Sequence, residues 1–318
     1  MTGEYRTSER ALHSVVVPVF NEVAGIDTFH ARTASVLSAV DGDYEIVYVD
    51  DGSTDGSWER LSDIAASDSH VRLVRFSRNF GHQIAITAGS DYARGQTVTT
   101  IDADLQDPPE LIPEMIARWR EGADIVYAVR TDRQGETRFK KASASAFYRM
   151  LRRLADVEMP VDVGDFRLLS RRAVDALKSM PEQHRYVRGM VAWLGLETAS
   201  VGYVRDPRVA GETKYPLSKM IRFATDGVIA FSVRPLRIAT WLGLVTSGIA
   251  FVAAVWLIVA RVTGIVPVVE GWTSLMVLVL LLAGVQLITI GALGEYVGRI
   301  YTEVRHRPLY IVSETRGL

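Results

Sequence analysis

The chain has 318 residues, with 36 Lys and Arg against 37 Asp and Glu and a net charge of -1. That balance lacks the basic excess a nucleic-acid partner requires. The absence of cysteine excludes disulfides, thiolate catalysis and Cys-based zinc sites, and it favours a reducing compartment. The polar start MTGEYRTSER has no apolar core of a signal peptide, so none is expected.

From Leu12 onward, apolar runs alternate with helical periods. LHSVVVPVF (12–20) predicts a strand and Glu22 to Val40 a helix. YEIVYVD (44–50) predicts a second strand, then the turn DGSTDGS and a helix to Ala66. VRLVRF (71–76) is a third strand with a helix from His82 to Tyr92, and TVTTI (97–101) a fourth with a helix from Pro109 to Arg120. DIVYAV (124–129) is a fifth strand. The alternation predicts right-handed βαβ units, a Rossmann-like α/β fold whose mainly parallel sheet is covered on both faces. Ligands in such sheets bind beyond the carboxyl ends of the strands. VFNE (19–22), the acids at 50–51 and those at 102–104 all fall there.

Beyond residue 130 the pattern loosens. Arg130 to Leu154 is basic with a helical period; VDVGDFRLLS (161–170) predicts a strand, followed by a helix to Ser179. SVGYVRD (200–206) predicts another strand. Residues 216–235, with Lys219 and Arg222 among apolar neighbours, suit an amphipathic helix on a membrane surface. Residues 238–260 and 271–294 carry no charge. At about 1.5 Å per residue each run spans roughly 34–36 Å, enough for a hydrocarbon core of about 30 Å. The expected organisation is a soluble domain over 1–215, the juxtamembrane helix, a transmembrane hairpin within 236–298 (spans about 238–260 and 271–296), and a tail over 299–318. Arg234 and Arg237 before the hairpin, with Arg299, Arg305 and Arg307 after it, put both ends on the cytoplasmic side. The chain is therefore expected to be a multi-pass protein of the cell membrane with a cytoplasmic domain.

The chemistry lies at the strand ends. Neither GxGxxG nor GxxxxGK[ST] occurs, so phosphates must be met by a metal and basic side chains. Asp102 and Asp104, two carboxylates after a strand, can both turn toward one hard cation, with Gln106 adding a neutral oxygen. Few oxygen donors suit Mg²⁺ or Mn²⁺ shared with a diphosphate. Asp107 is assigned to a helix N-cap ahead of Pro108 and Pro109. His82 and His184 have no metal-ligand spacing and are read as structural or as supporting a site without touching its ligand. Glu295 is placed beside Arg299 and the membrane interface with no catalytic part.

VVVPVFNE (15–22), VDDGSTDGS (49–57) and DADLQDPPE (102–110) form an ordered set, joined by FSRNFGHQIAITAG (76–89), GDFRLLSRRAVDAL (164–177), QHRYVRG (183–189) and RVAGETKY (208–215). With these the chain resembles the GT-A, family 2 glycosyltransferases, specifically the polyprenyl-phosphate glycosyltransferases. These include dolichyl-phosphate mannose synthases and bacterial undecaprenyl-phosphate glucosyltransferases. The tail GALGEYVGRIYTEVRHRPLY (291–310) is most like the bacterial branch.

The resemblance implies an inverting transfer of a sugar onto a polyprenyl phosphate, with UDP-glucose the first choice of donor and GlcNAc, galactose, mannose or a modified pentose compatible with the same motifs. It implies that Pro18, Phe20, Glu22 and Asp51 bind the nucleotide, as do Asp102 and Ala103, and that Asp102, Asp104 and Gln106 hold the metal. Arg208 and Lys214 match a loop that closes on the donor phosphates, Arg130 and Arg138 match residues that bind the acceptor phosphate, and Asp165 matches a carboxylate beside the acceptor. Asp165 is expected to position rather than to deprotonate, because a phosphate nucleophile is already ionised at neutral pH. Membrane lipids and a homo-oligomer, a tetramer, complete the expected partners. A processive polysaccharide synthase on the same core would need QxxRW, but Arg118-Trp119 has Met115 where Gln belongs. A non-catalytic membrane-tethered scaffold would have eroded the acids and cations.

Overall fold

In this computed structural model the structure describes residues 12–131, 163–204, 234–263 and 271–318. β1 (Leu12–Val19) is a β-branched run buried on both faces, and it pairs in parallel with β2 (Asp43–Asp50) on one side and β4 (Thr97–Thr100) on the other. β3 (Val71–Phe76) extends the sheet beyond β2, also in parallel. On the far side of β4 stands β6 (Val163–Ser170), antiparallel both to β4 and to β5 (Ile125–Arg130), and β7 (Thr198–Tyr203) closes that edge parallel to β5. With β8 (Val312–Arg316) antiparallel to β3 at the other edge, the order is β7-β5-β6-β4-β1-β2-β3-β8, so the mainly parallel sheet takes in two reversed strands, β6 and β8.

The connecting helices cover both faces: α1 (Ile26–Ser38), α2 (Ser57–Ser67), α3 (His82–Tyr92) and α4 (Ile112–Arg120), then α5 (Arg171–Lys178) and α6 (Val187–Trp193). Their apolar sides form two clusters, one around Val17, Phe29, Ile46 and Trp119 and the other around Val16, Val74, Ile86 and Leu169. α3 lies unusually close to β1: a Cβ at Gly89 would fall 2.2 Å from Val16 Cγ1. That approach brings the start of α3, at His82, over the strand ends.

The boundaries differ from the sequence reading where side chains compete for the backbone. α1 begins at Ile26 rather than Glu22, because the amides of residues 21–23 are taken by the loop after β2. The helix expected from Pro109 starts as a 3₁₀ turn, Pro109–Leu111, before α4. α6 has too few residues to show a period.

Two long helices follow: α7 (Arg234–Val262) and α8 (Trp272–Val304), which pack against each other. Among the described residues Leu281–Val304 is long and apolar enough to cross a membrane, with mean hydropathy 1.4 and no part of it buried; the apolar run of α7, Ala239–Ala253, is shorter. Large apolar side chains such as Trp241, Phe251, Leu287 and Ile288 stand exposed along both, a surface that soluble proteins do not leave open. Residues 216–233, which carry most of the expected juxtamembrane helix, lie outside the described residues. After α8 the chain returns to the sheet: β8 (Val312–Arg316) pairs antiparallel with β3.

Candidate active site

Three loops meet at the carboxyl ends of β1, β2 and β4. The first two are stitched together through backbone N–H groups. Asn21 donates to Ser53 Oγ (3.0 Å), Glu22 to Ser57 Oγ (3.0 Å) and Val23 to Asp55 Oδ2 (3.1 Å), while Asn21 Oδ1 accepts from Thr54 N (2.9 Å). Each bond satisfies a loop amide that no strand or helix reaches.

Buried Asp51 points to the NFGH turn instead. Its Oδ1 accepts from Phe80 N at 2.6 Å and its Oδ2 from Gly81 N at 2.9 Å. Gly52 beside it has φ +74°, and a Cβ there would lie 2.7 Å from the Arg78 carbonyl carbon, so only glycine lets the two turns meet. Burial pushes the Asp51 carboxyl up, against the pull of those two amides. Asp50 is structural: its Oδ1 accepts from Ser53 N (3.1 Å), and its Oδ2 lies 3.4 Å from Arg75 Nε.

These turns enclose a cleft of about 290 Å³. Of the expected nucleotide and metal residues, Pro18, Phe20, Glu22, Asp51, Asp102, Ala103 and Asp104 line it together. Phe20 is 47% exposed, so part of its ring is open to stack on a base. Gln106 is half-buried and is not among the lining residues; its backbone N–H donates to Asp104 Oδ1 at 3.1 Å. Asn79, Gly81, His82 and Ala85 also line the cleft. These four are not among the binding residues expected from the sequence, although NFGHQ follows a parallel strand just as the acidic motifs do.

Asp102 carries the cleft's electrostatic tension. Its Oδ1 is buried without a hydrogen-bond donor, 3.5 Å from His82 Nε2. Burial first, then the charges of Asp165, Asp104 and Asp107, push its pKa up to about 6 against the pull of His82. A hard divalent cation relieves such self-repulsion, so Asp102 and Asp104 fit Mg²⁺ or Mn²⁺. Among the described residues no group of three or more His, Asp or Glu could hold an ion by itself. The fit is to an ion whose remaining ligands come with the substrate.

Across His82 lies the second half of the site. Asp165, on β6 and 6% exposed, accepts from Arg167 Nη2 (2.5 Å) and Arg188 Nε (3.0 Å) at Oδ1. At Oδ2 it accepts from Arg188 Nη2 (2.8 Å) and Gln83 Nε2 (3.4 Å), with His82 Nε2 also 3.4 Å away. Burial opposes its charge, but His82, Arg188 and Arg167 hold the carboxyl well below the usual carboxylate range. An acid so supplied with donors is a poor proton acceptor. The same carboxylates raise the His82 imidazole in turn, against burial.

Arg130, at the end of β5, donates through Nε to Tyr203 Oη at 3.2 Å, and its Nη2 lies 3.9 Å from Asp107 Oδ1. Tyr203 Oη donates to that same Asp107 oxygen, and burial followed by Asp107 pushes the Tyr203 phenol up to about 12. This corrects the N-cap assignment of Asp107. The cap of the 3₁₀ turn is Pro108, with no side-chain hydrogen bond, while Asp107 is 1% exposed in the Tyr203–Arg130 cluster. Local sequence favoured a cap; burial beside a tyrosine and an arginine outweighed it. Arg138, Arg208 and Lys214 lie outside the described residues.

The QxxRW alternative has no footing in the fold. Met115 and Trp119 are core residues of α4, and Arg118 pairs with Glu121 at 3.1 Å on its exposed face.

Residues 14–178 match the glycosyl transferase family 2 model. The chain belongs to glycosyl transferase family 2. It is a glycosyltransferase with the GT-A fold. Among curated relatives, the uncharacterized glycosyltransferase YkcC of Bacillus subtilis (strain 168) is 47% identical over 98% of this chain and 96% of its own length. The bactoprenol glucosyl transferase of Shigella phage SfV is 42% identical over 95% of this chain and 98% of its own. Among solved structures, a glucosyl-3-phosphoglycerate synthase from Mycobacterium tuberculosis is 20% identical with a TM-score of 0.47, covering 71% of this chain and 80% of that one. Membership rests on the family model and the sequence relatives.

Proposed function

We propose that this family 2 glycosyltransferase moves glucose from UDP-glucose onto a polyprenyl phosphate at the cytoplasmic leaflet of the cell membrane. The observation that carries it is the shared wall at His82: an acidic cleft suited to a nucleotide diphosphate and its metal abuts a carboxylate clasped by arginines. The likeness to a bactoprenol glucosyl transferase over 95% of the chain supports the lipid acceptor and the glucosyl group.

In this reading Phe20 stacks on the base, and Pro18, Glu22 and Asp51 frame the nucleoside. Asp102, Ala103 and Asp104, with Gln106 behind them, meet the diphosphate and its Mg²⁺ or Mn²⁺. The ion, when bound, supplies charge neutralisation at the leaving diphosphate. Arg208 and Lys214 close over the same phosphates, and Arg130 and Arg138 hold the acceptor phosphate. One acceptor oxygen bonds to the anomeric carbon as the bond from that carbon to the donor phosphate oxygen breaks, inverting the centre and releasing UDP. The nucleophile arrives ionised, so no group on the chain needs to remove a proton. Asp165 orients its arginines. α7 and α8 cross the bilayer twice with both ends cytoplasmic, keeping the site near the lipid headgroup, and the chain assembles as a tetramer.

The test is the full-length protein in detergent with undecaprenyl phosphate, Mg²⁺ or Mn²⁺, and a panel of labelled nucleotide sugars. Lipid-linked glucose from UDP-glucose is expected. Transfer of a different sugar would revise the donor alone. Polymer without lipid-linked monosaccharide would favour a processive synthase, and nucleotide binding without any transfer a scaffold.

A further inference from the structure

The end of the loop between α5 and α6, with the first turn of α6, carries QHRYVRG (183–189), and the donor cleft makes no use of it. Its first two amides converge on one carboxylate. Glu303, in the last turn of α8, accepts from Gln183 N at 2.9 and 3.1 Å through its two oxygens, and from His184 N at 3.4 Å. Next to it, Thr302 Oγ1 meets His184 Nε2 at 2.9 Å. Hydrogen bonds to an ionised acceptor are stronger than neutral ones, so these amides are held firmly to a helix 120 residues away.

Beyond the loop, the first turn of α6 enters the active site. Val187 N donates to Gln83 Oε1 at 3.1 Å, and the amide of the same Gln83 side chain reaches Asp165. Arg188 forks onto both oxygens of Asp165. Midway, Arg185 donates to the carbonyls of Leu177 and Met180, fastening the loop to the end of α5. Past Glu303 the chain is also held. Tyr310 stacks on Phe76 with centroids 5.1 Å apart and donates to Asp91 at 3.0 Å, and β8 pairs with β3.

We propose that Glu303 is a positioning residue for the transfer reaction. By holding the backbone of Gln183 and His184 it sets where Arg188 stands, and through Arg188 the orientation of Asp165. This rests on the reading that Asp165 and its arginines serve a lipid phosphate acceptor. The helix that carries the candidate membrane-crossing stretch and the acceptor half of the site then share one reference point. An acceptor presented at a depth set by the bilayer meets a carboxylate set by the same helix.

The experiment compares wild type with Glu303→Ala, Glu303→Gln and Thr302→Ala in the full chain. It reads KM for undecaprenyl phosphate, KM for UDP-glucose, UDP affinity, thermal midpoint and amide exchange over 183–188. For Glu303→Ala the acceptor KM is expected to rise about tenfold, the scale of a lost hydrogen bond to a charged group. UDP affinity should stay within about twofold, and exchange should quicken at Gln183, His184 and Val187. Glu303→Gln, which keeps one acceptor oxygen, should recover most of the loss, and Thr302→Ala should cost less than Glu303→Ala. Faster exchange with unchanged acceptor kinetics would overturn the positioning role. So would an equal loss for donor and acceptor with a lowered midpoint. Failure of wild type to glycosylate any polyprenyl phosphate would instead sink the acceptor reading, and the exchange arm would still report whether Glu303 holds the loop.

Discussion

The two halves of the site are built on different principles. The cleft proposed for the donor is assembled from short turns that directly follow parallel strands, tied by backbone amides: Asn21, Glu22 and Val23 on the β2 loop, and Phe80 and Gly81 on Asp51. The half proposed for the acceptor is assembled from side chains on three separate segments: Arg167 and Arg188 offset the charge of Asp165, and His82 and the neutral Gln83 amide stand against the same carboxylate. Each bond of these turns joins one amide to a side-chain oxygen, so losing one acceptor leaves the other turns in place. A buried charge network lacks that independence, because each deletion strands a partner. The donor side should therefore fail chemically when mutated, and the acceptor side structurally as well.

The sharpest contrast is between two acids. Asp104→Asn should lower transfer by about a thousandfold or more, the scale of lost electrostatic stabilisation at a leaving group, and weaken metal-dependent UDP binding while the thermal midpoint stays put. Full activity would remove Asp104 from the metal set. Asp165→Ala should cost about 3–5 kcal/mol of stability, because it leaves the fully buried Arg167 uncompensated. A denaturant titration reads it, and an unchanged midpoint would mean the network relaxes without its centre.

Asp51→Asn probes the junction of the halves. The amides of Phe80 and Gly81 lose a charged acceptor, so KM for the nucleotide sugar should rise about tenfold with little change in stability. Arg138→Ala is the complement: it should raise the acceptor KM and leave UDP affinity alone, and an equal loss of UDP affinity would move Arg138 to the donor side.

A last measurement separates general loss of the fold from these local effects. His13, in β1 and away from both halves, has its pKa lowered from 6.5 to about 4 by burial and then by the charge of Arg120. A depressed imidazole leaves stability intact above pH 6.5 and erodes it as pH falls toward 4, because the unfolded chain takes up the proton first. At pH 5.5 the cost is about 1.4 kcal/mol. His13→Gln should reduce that slope, leaving the part that the likewise depressed His30 contributes, without altering either KM, and an unchanged slope would assign it to other groups.

Sequence by itself determined the sheet and the donor cleft. Periodicity located β1 to β7 to within a few residues. The rule that ligands sit beyond parallel strand ends pointed to VFNE (19–22) and to the acids at 50–51 and 102–104. The family resemblance singled out Pro18, Phe20, Glu22 and Asp51, which line the cleft. Those signals are local: a strand, its turn and its ligand groups lie within a dozen residues. Tertiary structure decided the rest. VSETR (312–316) is mostly polar and reads as a tail, yet it becomes β8 because the end of α8 delivers it to the open edge of β3. Asp107 has the spacing of a cap and is instead buried against Tyr203, 96 residues away. His82 has no partner spacing, but Gly89 lets α3 approach β1 closely enough to put its imidazole between Asp102 and Asp165. Charge compensation between distant segments leaves no period and no motif, so only the folded chain brings those groups to one place.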